Sequence, residues 1–297
     1  MRMKTAVVVV AVAILGLAQG VRNPLEAQQP GYRTPKPAQR TPPATPVAAA
    51  AGDRESVLFN WMWYMGMLRG PAENESVAML ELRKSTGTIR VAGQPCTLMN
   101  YRASINYQTP GMRAQYTCTK ADGQSYNAIE VVSGQFAWDE DVAGAGLLPG
   151  RGTTTVKPAL VTERLIRIWA GPQGAAKAAA AAGAATKVAM EGGKPVVTFP
   201  IPGVQGATAR ATLNADNMAE RVEVRQGNSV TEFTYGNYAD WNPPDDKIEG
   251  FFPGRIVEKR DGVTMLDLTL GETHVGNLYV VMPVPDSVRK APAAQSR

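Results

Sequence analysis

The sequence predicts an α+β fold, mainly β and organised on an antiparallel sheet, and three observations carry that reading. Residues 219–270 alternate polar and apolar side chains with the period of two that a half-buried strand requires, most plainly in Arg221-Val222-Glu223-Val224-Arg225. Strand-like runs rich in Val, Ile, Thr, Tyr and Phe follow one another with short Gly, Pro, Asn and Asp breaks, the order of hairpins and not of βαβ units. Between two such runs lies a helical pair, opened by Pro158, broken at Gly171-Pro172 and stopped by Gly183.

The first 52 residues stand apart from this pattern. Arg2 and Lys4 precede an apolar run over residues 6–18, and small residues then offer cleavage after Ala18 or Gly20, so residues 1–20 read as a secretory signal. The run is short for a bilayer span, and an uncleaved anchor is the alternative. Residues 21–52 are dense in Pro, Gln, Thr and Ala, with Pro42-Pro43 at the centre, and predict a disordered, partly polyproline tether. The net charge of +5 resides here: six basic groups stand against Glu26, so the rest of the chain is balanced. A balanced globular part has no basic stripe to neutralise phosphates, which argues against a nucleic-acid partner.

Asp53 is placed to cap a helix carrying Val57, Trp61, Tyr64 and Leu68 at helical spacing, with Met62, Trp63, Met65 and Met67 making its other faces apolar. Such a helix is an ordinary core helix or the wall of an apolar ligand cavity, for which thioethers and indoles are adaptable material. Strands are expected over residues 77–82, 88–91, 98–107, 112–118, 126–132 and 136–138. Cys96 and Cys118, an even pair in an exported chain, predict a disulfide; the C-x-x-C spacing of a redox or metal pair is absent.

The acidic run Asp139-Glu140-Asp141 lacks the D-x-[DN]-x-[DN]-G calcium pattern and reads as a solvated turn. Residues 144–155, rich in glycine, are expected to be irregular, as a flap between the two halves. In the helical pair, Val161, Leu165, Ile168 and Trp169 form the apolar stripe, and Glu163, Arg164 and Arg167 the polar one. A second, Ala-rich helix covers residues 175–182. Residues 196–199 and 207–213 restart the sheet. The meander has strands at 221–225 and 229–235, a polar loop at 237–246, and a last hairpin over 255–270. Asp261-Gly262 supplies the two positive-φ residues of its turn. On that hairpin Leu266, Leu268 and Leu270 share one face and Met265, Asp267 and Thr269 the other. Pro283 and Pro285 close the domain, and residues 286–297 form a polar tail read as disordered.

Tyr235-Gly236-Asn237-Tyr238, Phe252-Pro253-Gly254-Arg255-Ile256-Val257, Gly262-Val263 and Leu266-Asp267-Leu268 resemble the C-terminal meander of exported carriers of the LolA/LolB kind. The run Val131-Val132-Ser133-Gly134-Gln135-Phe136-Ala137-Trp138 is similar to the mid-chain strand pair of the same family, and the resemblance spans residues 53–285. It implies an antiparallel open (half) β-barrel with helices packed in or across its concave face. The function it implies is a periplasmic or secreted, non-enzymatic protein that shelters a lipid or lipoprotein acyl chain. The carriers' acyl-release arginine has no placed counterpart here.

The walls of such a site would be Trp61, Met65 and Leu68 from the first helix, Leu165 and Trp169 from the bent pair, and Leu266, Leu268 and Leu270 from the last hairpin. Alternatively, these three faces pack on one another as plain core. No cofactor is expected. His274 is the only histidine, which excludes a multi-histidine zinc site and leaves little room for a Ser-His-Asp triad. The remaining alternatives are a structural or interaction protein of the cell envelope, and a hydrolase using the loop carboxylates Asp139, Asp240, Asp245 and Asp246.

Overall fold

The computed structural model describes residues 36–37, 52–68, 79–241, 251–275 and 280–291. The signal and most of the tether lie outside the described residues, as do Asp245 and Asp246. The chain divides into Met1–Gly31, wholly outside the described residues, and Tyr32–Arg297, which holds everything below.

In chain order the elements are β1 (Lys36–Pro37), α1 (Arg54–Tyr64), β2 (Met79–Val91), β3 (Gln94–Asn106), β4 (Gly111–Lys120), β5 (Ser125–Ser133), β6 (Phe136–Glu140) and β7 (Thr154–Val156). There follow α2 (Val161–Ala170), α3 (Pro172–Ala181), β8 (Lys187–Glu191), β9 (Lys194–Pro200), β10 (Ala207–Leu213), β11 (Ala219–Gln226) and β12 (Ser229–Asp240). The last are β13 (Phe251–Arg260), β14 (Val263–Thr269), β15 (Glu272–Val275) and α4 (Asp286–Arg289).

These strands form one antiparallel sheet in the order β7-β6-β5-β4-β3-β2-β14-β13-β12-β11-β10-β9-β8. Two meanders, each made of hairpins between chain neighbours, are joined where β14 docks on β2 with Leu268 opposite Gly87. Strands β7 and β8 do not pair with each other, so the barrel stays open. Helices α2 and α3 lie against one face, and α1 packs on α3 and β8. The Ala-rich α3 approaches β9 closely because its buried positions, Ala175, Ala176, Ala178 and Ala179, carry only methyl groups.

Local chemistry explains the pieces. The Asp53 carboxylate accepts from the Ser56 backbone N–H at 2.9 Å and caps α1. Asp261 and Gly262, at φ +47° and +81°, turn β13 into β14. Leu266, Leu268 and Leu270 are buried while Thr269 faces solvent, so the apolar face of that hairpin is the core face. Cys96 and Cys118 are joined, which ties β3 to β4 from inside the core. Non-reducing peptide mapping should return this cross-linked pair. Changing both cysteines to serine should cost about 3 kcal/mol by loop-closure entropy and lower Tm by roughly 10 °C. Free thiols at both positions would refute the pairing.

Several expectations are corrected. The strands expected at 77–82 and 88–91 are one strand, β2, bent by register shifts between Leu82 and Ser85 and between Ser85 and Gly87. Gly87, at φ +133°, makes the bend possible, since a Cβ there would sit 2.0 Å from the Asp267 carbonyl oxygen. The polar loop expected from residue 237 begins later. Strand β12 runs on to Asp240 through Asn237 at φ +56°, and the register is unbroken between the pairs Gly236–Arg255 and Tyr238–Pro253.

Helix α1 ends at Tyr64, before Leu68, and Pro158 opens a single 3-10 turn ahead of α2. Helix α3 begins at Pro172, whose fixed φ suits a first helical position. Three short strands, β1, β7 and β8, were not anticipated, and β1, within the stretch expected to be a disordered tether, pairs antiparallel with β12. Residues 286–289 form the short helix α4, whose Val288 packs with Val131, Trp138, Val280 and Met282.

Candidate functional site

A cavity of about 60 Å³ lies between the inner face of the sheet and the corner where α2 meets α3. Strands β2, β3, β4, β12, β13 and β14 contribute its floor, and Arg167, Gly171 and Pro172 its roof. Its lining is apolar over most of the surface, with Ile105, Met112, Phe233, Phe252, Leu266 and Leu268 among the walls. The polar exceptions are Tyr101, Tyr107, Tyr235, Arg167 and Glu258.

One wall is ionic. The Arg167 guanidinium donates to Glu258 at 2.8 Å and to Glu130 at 3.3 Å, and lies 3.3 Å from Glu163 one helical turn earlier. Arg260 donates to Glu163 at 2.8 Å and to Glu258 at 3.4 Å, and the Tyr116 hydroxyl donates to Glu130 at 2.9 Å. Glu258 is only 1% exposed, so its charge is held by these guanidiniums and not by water. Burial works to strip the proton from Arg167, yet the charges of Glu258, Glu130 and Glu163 outweigh it and hold the pKa well above the ordinary value. Burial likewise pushes up the Glu163 carboxyl, but the Arg260 hydrogen bond and the Arg167 and Arg260 charges win, leaving it lowered. Tyr101 and Tyr107 are raised by burial, and Tyr116 by burial and the adjacent Glu130 charge, so these phenols stay protonated donors at neutral pH.

The residues expected from sequence divide into two groups. Leu266 and Leu268 line the cavity. Trp61, Met65, Leu165, Trp169 and Leu270 are buried in the same continuous core without lining it, and Leu68 is half-buried past the end of α1. Trp169 touches the site indirectly, its ring centroid 6.3 Å from that of Tyr107. Tyr107 itself was legible but overlooked: Tyr101, Ala103, Ile105 and Tyr107 alternate along one strand face, and all four line the cavity. Arg167 and Glu258, 91 positions apart, carry no local signal of their partnership.

The acidic run is not a solvated turn. Glu140, 6% exposed, accepts from Arg113 at 3.1 Å, from the Trp138 indole at 3.0 Å and from the Gly144 backbone N–H at 2.8 Å. Asp139 pairs with Arg164 and Lys157, and Asp141 accepts from the Thr153 backbone at 2.8 Å, so the run anchors both ends of the glycine-rich loop. Arg164, expected on the polar stripe, is 2% exposed, because it is the donor that satisfies the Val131 and Trp138 carbonyls at 2.8 and 2.7 Å. Of the loop carboxylates considered for hydrolysis, Asp139 is thus a counterion and Asp240 is buried at the end of β12. His274 lies in β15 opposite Glu81 in register. Among the described residues no group of three His, Cys, Asp or Glu is placed to hold a metal ion, and no helix is long and apolar enough to cross a membrane.

No family model matches the sequence, and no curated protein matches it. Among solved structures, the chain is similar to a domain from Vibrio parahaemolyticus assigned as an outer membrane lipoprotein-sorting protein. The identity is 10%, the match covers 76% of this chain and 94% of that one, and the TM-score is 0.42.

Proposed function

We propose that this is an exported, non-enzymatic binding protein whose half-barrel shelters an acyl chain or another apolar ligand between sheet and helices. The observation that supports the reading is the apolar cavity beneath the α2–α3 corner, on the sheet face to which both meanders contribute. Its 60 Å³ is on the scale of a few water molecules, so a long chain enters only as the corner withdraws. Two hydrogen bonds to the sheet must then break: from the Tyr235 hydroxyl to the Ala170 carbonyl, and from the Gln173 amide to the Phe251 carbonyl. About ten sheltered methylenes at ~0.8 kcal/mol each supply roughly 8 kcal/mol, the scale of micromolar binding before ordering costs.

The small volume also favours a second reading, a structural protein of the cell envelope in which the same faces are simply core. Native mass spectrometry of protein purified without detergent, with organic extraction of what travels with it, separates the two. The carrier reading expects a co-purifying lipid, and saturable binding of a fluorescent fatty-acyl probe that Leu266→Asp weakens at least about tenfold, since a charge enters the apolar wall. Absence of both lipid and saturable binding would overturn it.

A further inference from the structure

We propose that the Tyr107 hydroxyl is a recognition point for the ligand, donating a hydrogen bond to a neutral carbonyl oxygen, of an ester or amide, at the head of an apolar chain. The inference rests on the carrier reading and adds a chemical class to it. Tyr107 follows the last residue of β3, lines the cavity and is 5% exposed. Among the described residues no acceptor takes its hydroxyl proton, and the backbone group that reaches its oxygen, the Gly174 N–H, is itself a donor.

Of the cavity's other polar groups, the Tyr101 hydroxyl is not among the buried atoms left without a partner, and the remaining three are engaged. Tyr235 donates to the Ala170 carbonyl, and Arg167 and Glu258 bind each other. A buried donor without an acceptor is costly, so this proton calls for an oxygen brought in from outside. The charge of the neighbouring wall decides which oxygen. Two guanidiniums, Arg167 and Arg260, face three carboxylates, Glu130, Glu163 and Glu258. An entering carboxylate would meet a surplus of negative charge at low dielectric, whereas an ester or amide carbonyl accepts the same hydrogen bond without bringing charge.

The test displaces a bound hydrophobic dye from the full chain with methyl laurate, laurate or dodecyl chloride, which share an alkyl chain and differ at the head. Wild type should bind methyl laurate about fivefold more tightly than dodecyl chloride, the yield of one neutral hydrogen bond, and more tightly than laurate. Tyr107→Phe keeps the ring against Trp169; it should erase the ester's advantage while leaving dodecyl chloride affinity within about twofold. An ester advantage that survives Tyr107→Phe, or equal affinity for ester and chloride in wild type, as expected if the hydroxyl merely holds a water, overturns the inference and leaves the carrier reading standing. If no probe displaces the dye from either protein, the carrier reading falls and the inference with it.

Discussion

Arg167→Leu is expected to lower stability by about 3–5 kcal/mol and Tm by roughly 10 °C or more, read by urea and thermal unfolding. The arginine is the shared counterion of three carboxylates, and one of them, Glu258, is almost wholly removed from water. Leucine fills much of the space but leaves Glu163 and Glu258 to Arg260, which reaches Glu258 only at 3.4 Å, and Glu130 to the neutral Tyr116 hydroxyl. The large effect comes from the orphaned charge, so removing both partners in Arg167→Leu/Glu258→Leu should cost less than the sum of the single changes. The pH dependence gives an independent check. Glu163 sits below its ordinary value of 4.5, so its contribution is complete above that pH and fades as pH falls through the lowered value. Arg167→Leu removes part of that contribution. The variant's deficit should therefore narrow as the pH is lowered; a deficit constant with pH would mean that lost packing, not charge, accounts for it.

What could be read in advance was what short stretches of chain decide alone. The Asp261-Gly262 turn, the leucine face of β14 and the Asp53 cap depend on neighbours a few positions away, and each is found as expected. The disulfide was legible because only two cysteines exist. Charged residues misled where periodicity assigned them to solvent. Arg164 and Glu140 are buried because backbone carbonyls, an indole N–H and a second guanidinium need them there, and all of these except the Trp138 indole, two positions before Glu140, lie on other elements. Strand continuity through Lys84 and Asn237 was hidden for a related reason. At Lys84 a bulge lets the chain leave the ladder at positive φ while the pairing resumes beyond it, and at Asn237 the strand passes a single positive-φ residue with no change of register. The cavity is harder still to read, since the pairing of β14 with β2 and the docking of α2–α3 create it together.

Gly174→Ala tests the corner over that cavity, and its expected cost is about 4 kcal/mol. A methyl group there would lie 2.0 Å from the Ile168 carbonyl oxygen and 3.1 Å from the Tyr107 ring, and the nearer atom is backbone, so a side chain cannot simply swing aside. Helix α3 must move off α2. Overpacking of a filled interior accounts for about 1–3 kcal/mol, and disturbance of the 2.7 Å bond from the Ala175 N–H to the Gly171 carbonyl adds a similar amount. Because Gly171 and Pro172 roof the cavity, the same displacement should open it. The variant is therefore expected to bind a fluorescent fatty-acyl probe faster than wild type below its lowered Tm, with near-native far-UV circular dichroism. If the corner does not gate access, Gly174→Ala will lose stability without any gain in the association rate. That result would place ligand entry elsewhere or favour the structural reading, in which the space beneath the corner is only a packing defect.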